Sequence, residues 1–308
     1  MLLGASAVLL AGGSELFAEH ASAAGRRFGV TALAVGLLLA GAEPEELLTG
    51  VLASARHLPG VAGGDAIGAN VTMLTAVLGL TALVRPLELG GRVRAYALTA
   101  SATGVIAALA LASGRVSRVW GVVLVAAYLV TVAVVWWRER RPPAFGEAAE
   151  LREHPETGRV SGSGDRRAAV LVVVGVGAMA GGGWLAVSGA ERVVNSAGLA
   201  QSVVGLTFVA LATTAELFAL VWAAHRRGIE ELALAGVLGS AIYNATATLG
   251  AAALVRPIEA NGLQWQAWLA AALPVALVAY AWIWRRVGRV GGTLLVASYG
   301  LFLGLTFK

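Results

Sequence analysis

No cysteine occurs in the 308 residues. That excludes disulfides, thiolate-bound metals and cysteine nucleophiles. Charge is scarce as well. Charged residues make up 13% of the chain, against roughly 25% in a soluble domain. The four histidines, His20, His57, His154 and His225, all lie near expected loops, so no histidine-rich metal site is visible. There is no HExxH or GxSxG pattern and no histidine inside an apolar run, so an intramembrane enzyme finds little support. The N-terminal stretch MLLGASAVLLAGG lacks the basic region of a signal peptide and reads as a first membrane helix.

What is abundant is apolar sequence. Hydrophobic residues make up 58% of the chain, and the mean hydropathy is +0.76. Ten apolar runs of transmembrane length follow one another: 1–20, 29–55, 63–84, 93–112, 117–137, 168–188, 199–224, 231–255, 266–284 and 290–306. The nine tryptophans, as in VVWWRER and LQWQAWLA, fit an interfacial aromatic belt. The net charge of +5 does not point to nucleic acid, because the basic residues sit in the loops.

Those loops orient the chain. The connections after the first, third, fifth, seventh and ninth runs carry 17 of the 23 basic residues. The remaining connections and the C-terminus carry 6. By the positive-inside rule the first group is cytoplasmic and both termini are extracytoplasmic, in a multi-pass protein of the cell membrane. Residues 138–167 are the one long polar connection, rich in Pro, Gly, Ser and mixed charge.

That linker separates two similar halves, 1–137 and 168–308. Shifted by 171 residues, DAIGANVTMLTAVLGLTALVRPLE at 65–88 meets GVLGSAIYNATATLGAAALVRPIE at 236–259, with 11 of 24 positions identical. Five helices in each half is an odd number, so the halves enter the membrane from opposite sides. The expected fold is an all-α integral membrane protein of ten transmembrane helices in two inverted five-helix repeats, as in secondary transporters.

Against this background GAEPEELLTG, residues 41–50, is conspicuous, because Glu43, Glu45 and Glu46 interrupt an apolar run. The 171-residue offset pairs Glu45 with Glu216, the single carboxylate between Ala197 and Gly228. An ionisable group at such depth costs several kcal/mol and marks a function. Two facing carboxylates repel, and a divalent cation neutralises both. Calcium takes six to eight hard oxygens. Thr213 and Thr214 stand beside Glu216, and Gly41 and Pro44 beside Glu45. Pro44 interrupts a helix and frees backbone carbonyls for an ion. Ser240 and Asn244 lie one helical turn apart in the next helix, and Asn70 lies in the matching helix of the first half.

The two segments resemble the paired alpha repeats of the calcium/cation antiporter superfamily, which includes sodium/calcium and calcium/proton exchangers. The family's Gly-Thr-Ser-x-Pro-Glu-like motif stands here as GAEPEE and ATTAEL, and its Gly-Asn-x-x-Gly-Ser-like motif as GDAIGAN and AGVLGSAIYN. The resemblance implies a ten-helix fold, alternating access, and Glu45 and Glu216 as core calcium ligands. It implies Thr213, Thr214, Ser240 and Asn244 as further ligands, and no cofactor beyond the transported ions. In the first half the hydroxyl pair is replaced by Ala42 and Glu43, Ser240 is matched by Ala69, and Asn244 by Met73. The divalent site survives these departures. The sodium sites lose oxygens, which leaves the counter-ion open between sodium and protons.

Other polar residues have simpler readings. Glu43 and Glu46 either touch the ion or face water in a vestibule. Asp65 reads as a helix cap after PGVAGG. Thr213 and Thr214 can hydrogen-bond the preceding turn. Glu88 and Glu259, beside RP, read as interfacial partners of arginine, and Glu15, Glu19 and Glu191 as exposed. A passive cation channel or an acidic-dyad enzyme is the alternative function.

Overall fold

The computed structural model describes residues 1–27, 43–84, 86–88, 90–139, 164–215, 217–218, 221, 230–284 and 286–308. Gly41, Glu216 and most of the expected 138–167 linker lie outside these described residues.

The described chain is almost wholly helical. Helix α1 spans Leu2–Arg27, a few residues beyond the expected 1–20. Helix α2 is Pro44–Ala55. Helix α3, Pro59–Thr72, runs through a π-helical turn at Met73–Val77 into α4, Leu78–Val84. Helix α5 is Gly91–Ala112 and α6 is Arg118–Glu139. Helix α7, Gly164–Ala197, is much longer than the expected 168–188. Helix α8, Gln201–Val204, passes through a π turn, Gly205–Val209, into α9, Ala210–Thr213. Helix α10, Glu230–Tyr243, passes through a third π turn, Asn244–Thr248, into α11, Leu249–Val255. Helix α12 is Gln264–Trp284 and α13 is Arg289–Thr306.

Among the described residues seven helices are long and apolar enough to cross a membrane. Leu2–Phe17 and Gln201–Thr213 are shorter apolar helices on two more of the expected runs. In the apolar 18-residue stretch of Pro59–Val84, 83% of residues are buried, and in that of Leu234–Val255 89%, whereas in Arg118–Arg138 and Arg289–Thr306 the share is 22%. The first two therefore form the centre, and α6 and α13 present their apolar surface outward.

The elements of the two halves recur at one register. Adding 171 to Pro59–Thr72, Met73–Val77 and Leu78–Val84 gives Glu230–Tyr243, Asn244–Thr248 and Leu249–Val255. Contacts recur in the same way. Strand β1, Arg115–Val116, pairs antiparallel with β2, Ile258–Glu259, so that Val116 faces Ile258. Leu87 bridges Val287, the same two positions with the halves exchanged. A Cβ on Gly121 would lie 2.9 Å from the Gly250 carbonyl oxygen, and one on Gly292 would lie 2.7 Å from that of Gly79. Asn70 donates to the carbonyl of Ala241, its own counterpart, at 3.0 Å.

Glycine sets the closest crossing. On α3, Gly64 and Gly68 face the π turn that begins at Gly205. A Cβ on Gly68 would lie 2.4 Å from Leu206 O, and one on Gly205 would lie 2.4 Å from Val61 O. Only hydrogen-sized side chains permit this approach. Helices α1 and α7 pack on each other at Gly13 and Gly175, and α7 packs in turn on α2, where Gly183 faces Thr49 and Leu52.

Candidate ion-binding site

Two helix interruptions define the site. Glu43 sits before α2 with φ −117° and ψ 67°, outside helical geometry, and Pro44 opens the helix. Proline fits a first helical position, where no N–H partner exists. At the equivalent place in the second half, α9 ends at Thr213 and Thr214 turns to φ −82°, ψ 1°. The Leu217 N–H then donates to the Thr214 carbonyl at 3.1 Å, a tightened turn. No proline is present there. The break at Pro44 was legible in the sequence, whereas the break at Thr214 was not.

The carboxylates are inside. Glu43 is 2% exposed, and Glu45 and Glu46 are each 1% exposed. A water-facing vestibule position for Glu43 and Glu46 is therefore corrected to a buried one. Both Glu45 and Glu46 occupy the first turn of α2, where the positive pole of the helix favours negative charge. Tyr243 lies within electrostatic reach of all three glutamates, and its ring packs edge-on to Tyr128 with centroids 5.3 Å apart.

The neutral ligand candidates are also buried, each with its hydroxyl or amide hydrogen committed. Thr214 Oγ1 donates to Ala210 O at 2.7 Å, and Ser240 Oγ to Gly236 O at 3.2 Å. These back-bonds use the proton and leave oxygen lone pairs. Asn244 bridges two polar groups. Its Nδ2 donates to Glu43 Oε2 at 3.4 Å, and its Oδ1 accepts from Thr248 Oγ1 at 3.2 Å. Asn70, 3% exposed, donates one amide hydrogen to the Ala241 carbonyl.

Asp65 corrects an expectation. It does not cap a helix, because α3 starts six residues earlier, where Pro59 follows Leu58. Asp65 is fully buried in mid-helix, and its Oδ1 accepts the Thr213 hydroxyl at 3.1 Å. Thr213 shares that proton with Val209 O and Ala210 O, both at 3.2 Å. Asp65 thus ties a helix of the first half to the interruption in the second. The sequence carried one hint, a carboxylate among the small residues of GGDAIGA. Thr49, four residues after Glu45 and fully buried, is a second polar group that the spacing alone could have revealed.

Ala69 and Met73 are fully buried in the apolar core, opposite in register to Ser240 and Asn244. No three His, Asp or Glu side chains among the described residues converge closely enough to hold a metal ion. The arginine expectation holds for Glu259, which pairs with Arg115 at 3.2 Å. Glu191 is partly covered and paired with Arg56 at 2.7 Å rather than simply exposed.

Comparison with known proteins follows the same lines. A family model described as sodium/calcium exchanger protein matches residues 1–137 and 167–308. The putative antiporter CaxA of Alkalimonas amylolytica is 26% identical over 304 residues, covering 95% of this chain and 93% of that protein. The uncharacterized membrane protein MJ0091 of Methanocaldococcus jannaschii is 27% identical over 288 residues, covering 93% and 88%. A structure of the sodium-calcium exchanger NCX_Mj, soaked with Na+ and Sr2+, superposes with a TM-score of 0.64 at 24% identity, covering 98% of this chain and 96% of that one. At that identity the structural likeness is one of fold.

Proposed function

The chain belongs to the sodium/calcium exchanger protein family, and from that premise we propose that it exchanges calcium against sodium or protons by alternating access at the Glu45–Glu216 site. It is a multi-pass, helical membrane protein and a cation antiporter, a transporter and not an enzyme.

The observation that carries the reading is the matched pair of helix interruptions. Glu43 and Thr214 leave helical geometry at positions 171 residues apart, and each is followed two residues later by a glutamate. Interrupted helices place backbone carbonyls and a helix N-terminus at one depth in the membrane, where a cation can exchange water for protein oxygens. Glu45 and Glu216 supply the two charges. Thr213, Thr214, Ser240 and Asn244 add neutral oxygens. Glu43, held by Asn244, compensates in charge for the hydroxyl that Thr214 provides in the other half. Glu46 and Asn70 are further ligand candidates, as is the carbonyl of Gly41, two residues before Glu43 in the sequence.

The architecture that suits this function is ten helices in two inverted repeats, 1–137 and 168–308, joined by the cytoplasmic linker 138–167, with both termini outside. The exchanged contacts Val116–Ile258 and Leu87–Val287 support it, as does the register shared by α3–α4 and α10–α11. A bound divalent ion removes the repulsion between the two carboxylates, so the loaded site is the form able to close and reopen on the other side.

The test is calcium flux in sealed vesicles, with sodium and proton gradients imposed separately. Opposing gradients should drive calcium uphill, which a passive channel cannot do. Glu45→Gln and Glu216→Gln should abolish uphill flux while the protein remains folded, and Glu46→Gln should be milder. Normal flux through a well-folded Glu45→Gln protein rejects the site.

A further inference from the structure

Helix α2 ends at a fixed point. The Arg56 N–H donates to Leu52 O and the Leu58 N–H to Ala53 O, both at 2.9 Å. Between them His57 takes φ 66° and turns the chain out of the helix. Arg56 thus leaves the last turn from a settled backbone, at the negative pole of the helix, where a cation is favoured.

Its side chain reaches α7. Nη1 donates to Ser188 Oγ at 2.7 Å, and Nη2 to Glu191 Oε2 at 2.7 Å. The guanidinium carbon stands 5.9 Å from the centroid of the Trp184 ring, within cation–π range. Trp184, Ser188 and Glu191 follow one another at spacings of four and three residues, so they form one stripe along α7. A single arginine therefore engages two turns of the facing helix.

Below this contact the two helices meet at Gly183. A Cβ there would lie 3.2 Å from Thr49 Oγ1 and 3.2 Å from Leu52 Cδ1. Thr49 is fully buried, and its hydroxyl has no hydrogen-bond partner. Burying an unpaired hydroxyl is unfavourable, and water would satisfy it. The closed seam is thus disfavoured at Thr49, and the Arg56 contacts offset that. Arg56 and Glu191 keep 33% and 41% of their side-chain exposure. An ion pair so open to water contributes modestly, which suits a contact that is made and broken. Thr49 lies one turn beyond Glu45 on the same face of α2, so the seam leads toward the ion site.

We propose that Arg56 is a positioning residue for transport: through Glu191 and Ser188 it locks α7 onto α2 and shuts the seam over Thr49, and release of this lock opens the seam toward Glu45. That the lock guards Glu45 rests on the ion-site reading. The lock itself does not, and chemical labelling detects it without any transport.

The chain has no cysteine, so a single introduced thiol reports on the seam. The full chain carrying Thr49→Cys is purified in neutral detergent and reacted with N-ethylmaleimide, and labelling is timed by intact-protein mass. Leu52→Cys is the second reporter. Ala100→Cys, 3% exposed in a core cluster built without α7, is the control. Adding Arg56→Gln should speed labelling at both reporters about fivefold, the upper range for an ion pair of this exposure, and leave Ala100→Cys unchanged. Glu191→Gln should act in the same direction, and adding it to Arg56→Gln should change nothing further. Arg56→Lys, which keeps the charge, should restore most of the protection. Unchanged labelling of both reporters in Arg56→Gln overturns the proposal. So does equal acceleration at Ala100→Cys, which marks general loosening, or an additive effect of the two Gln substitutions.

Discussion

Replacing Gly68 with alanine tests whether the crossing of α3 with the Gly205–Val209 turn holds the site together. The added Cβ would meet Leu206 O at 2.4 Å, Leu206 Cα at 2.6 Å and the Leu206 carbonyl carbon at 2.7 Å. All three are backbone atoms, so no rotamer change relieves the contact. Restoring a normal separation requires the two segments to part by about 1 Å, given ordinary van der Waals contact near 3.5 Å. Overpacking of this kind costs about 1–3 kcal/mol, and the rigid obstruction puts this case at the upper end. The same displacement stretches the 3.1 Å hydrogen bond from Thr213 to Asp65, which spans the same crossing. Gly177→Ala is the control. Gly177 is helical, and nothing lies within 4 Å of its Cβ position, so the change should be neutral or slightly stabilising. The assay is the melting temperature in detergent together with calcium flux at a temperature where both proteins stay folded. Gly68→Ala should melt several degrees lower and transport more slowly, and Gly177→Ala should do neither. If Gly68→Ala melts and transports like Gly177→Ala, the close crossing is not what organises the site.

Further expectations concern the polar groups. Ala69→Ser with Met73→Asn restores the oxygens that Ser240 and Asn244 carry in the other half, and should increase the sodium dependence of calcium flux; unchanged sodium activation would argue against the asymmetry between halves. Asp65→Ala should raise the calcium concentration for half-maximal flux several-fold with little change in maximal rate, because Thr213 then turns its hydroxyl fully to its own helix. Asp65→Asn, which keeps an acceptor, should recover much of that loss. In a Thr213→Val background Asp65→Ala should add nothing, and an additive effect would show that Asp65 acts by another route.

Much of this protein is written along the chain. Twenty-residue apolar runs declare a helical membrane protein because lipid allows no unsatisfied backbone. The 171-residue register was readable because it rests on ordered identities such as LVRP and the following glutamate. The start of α2 at Pro44 was readable because proline acts on its own backbone. These are local properties, so local sequence is sufficient for them.

The remainder depends on what faces what. Asp65 lay after a small-residue stretch that looked like a helix start, but packing carried α3 back to Pro59 and buried the carboxylate against Thr213. Thr214 leaves the helix without a proline, one residue after the Thr213 hydroxyl that donates to Asp65 on a helix of the other half. Glu191 read as exposed, yet the packing of α7 on α2 pairs it with Arg56. Periodicity and composition describe one chain segment at a time. A carboxylate between two helices, a carbonyl against a glycine and an ion pair across a helix seam are set by the distance between segments far apart in sequence, and only the tertiary structure decides that distance.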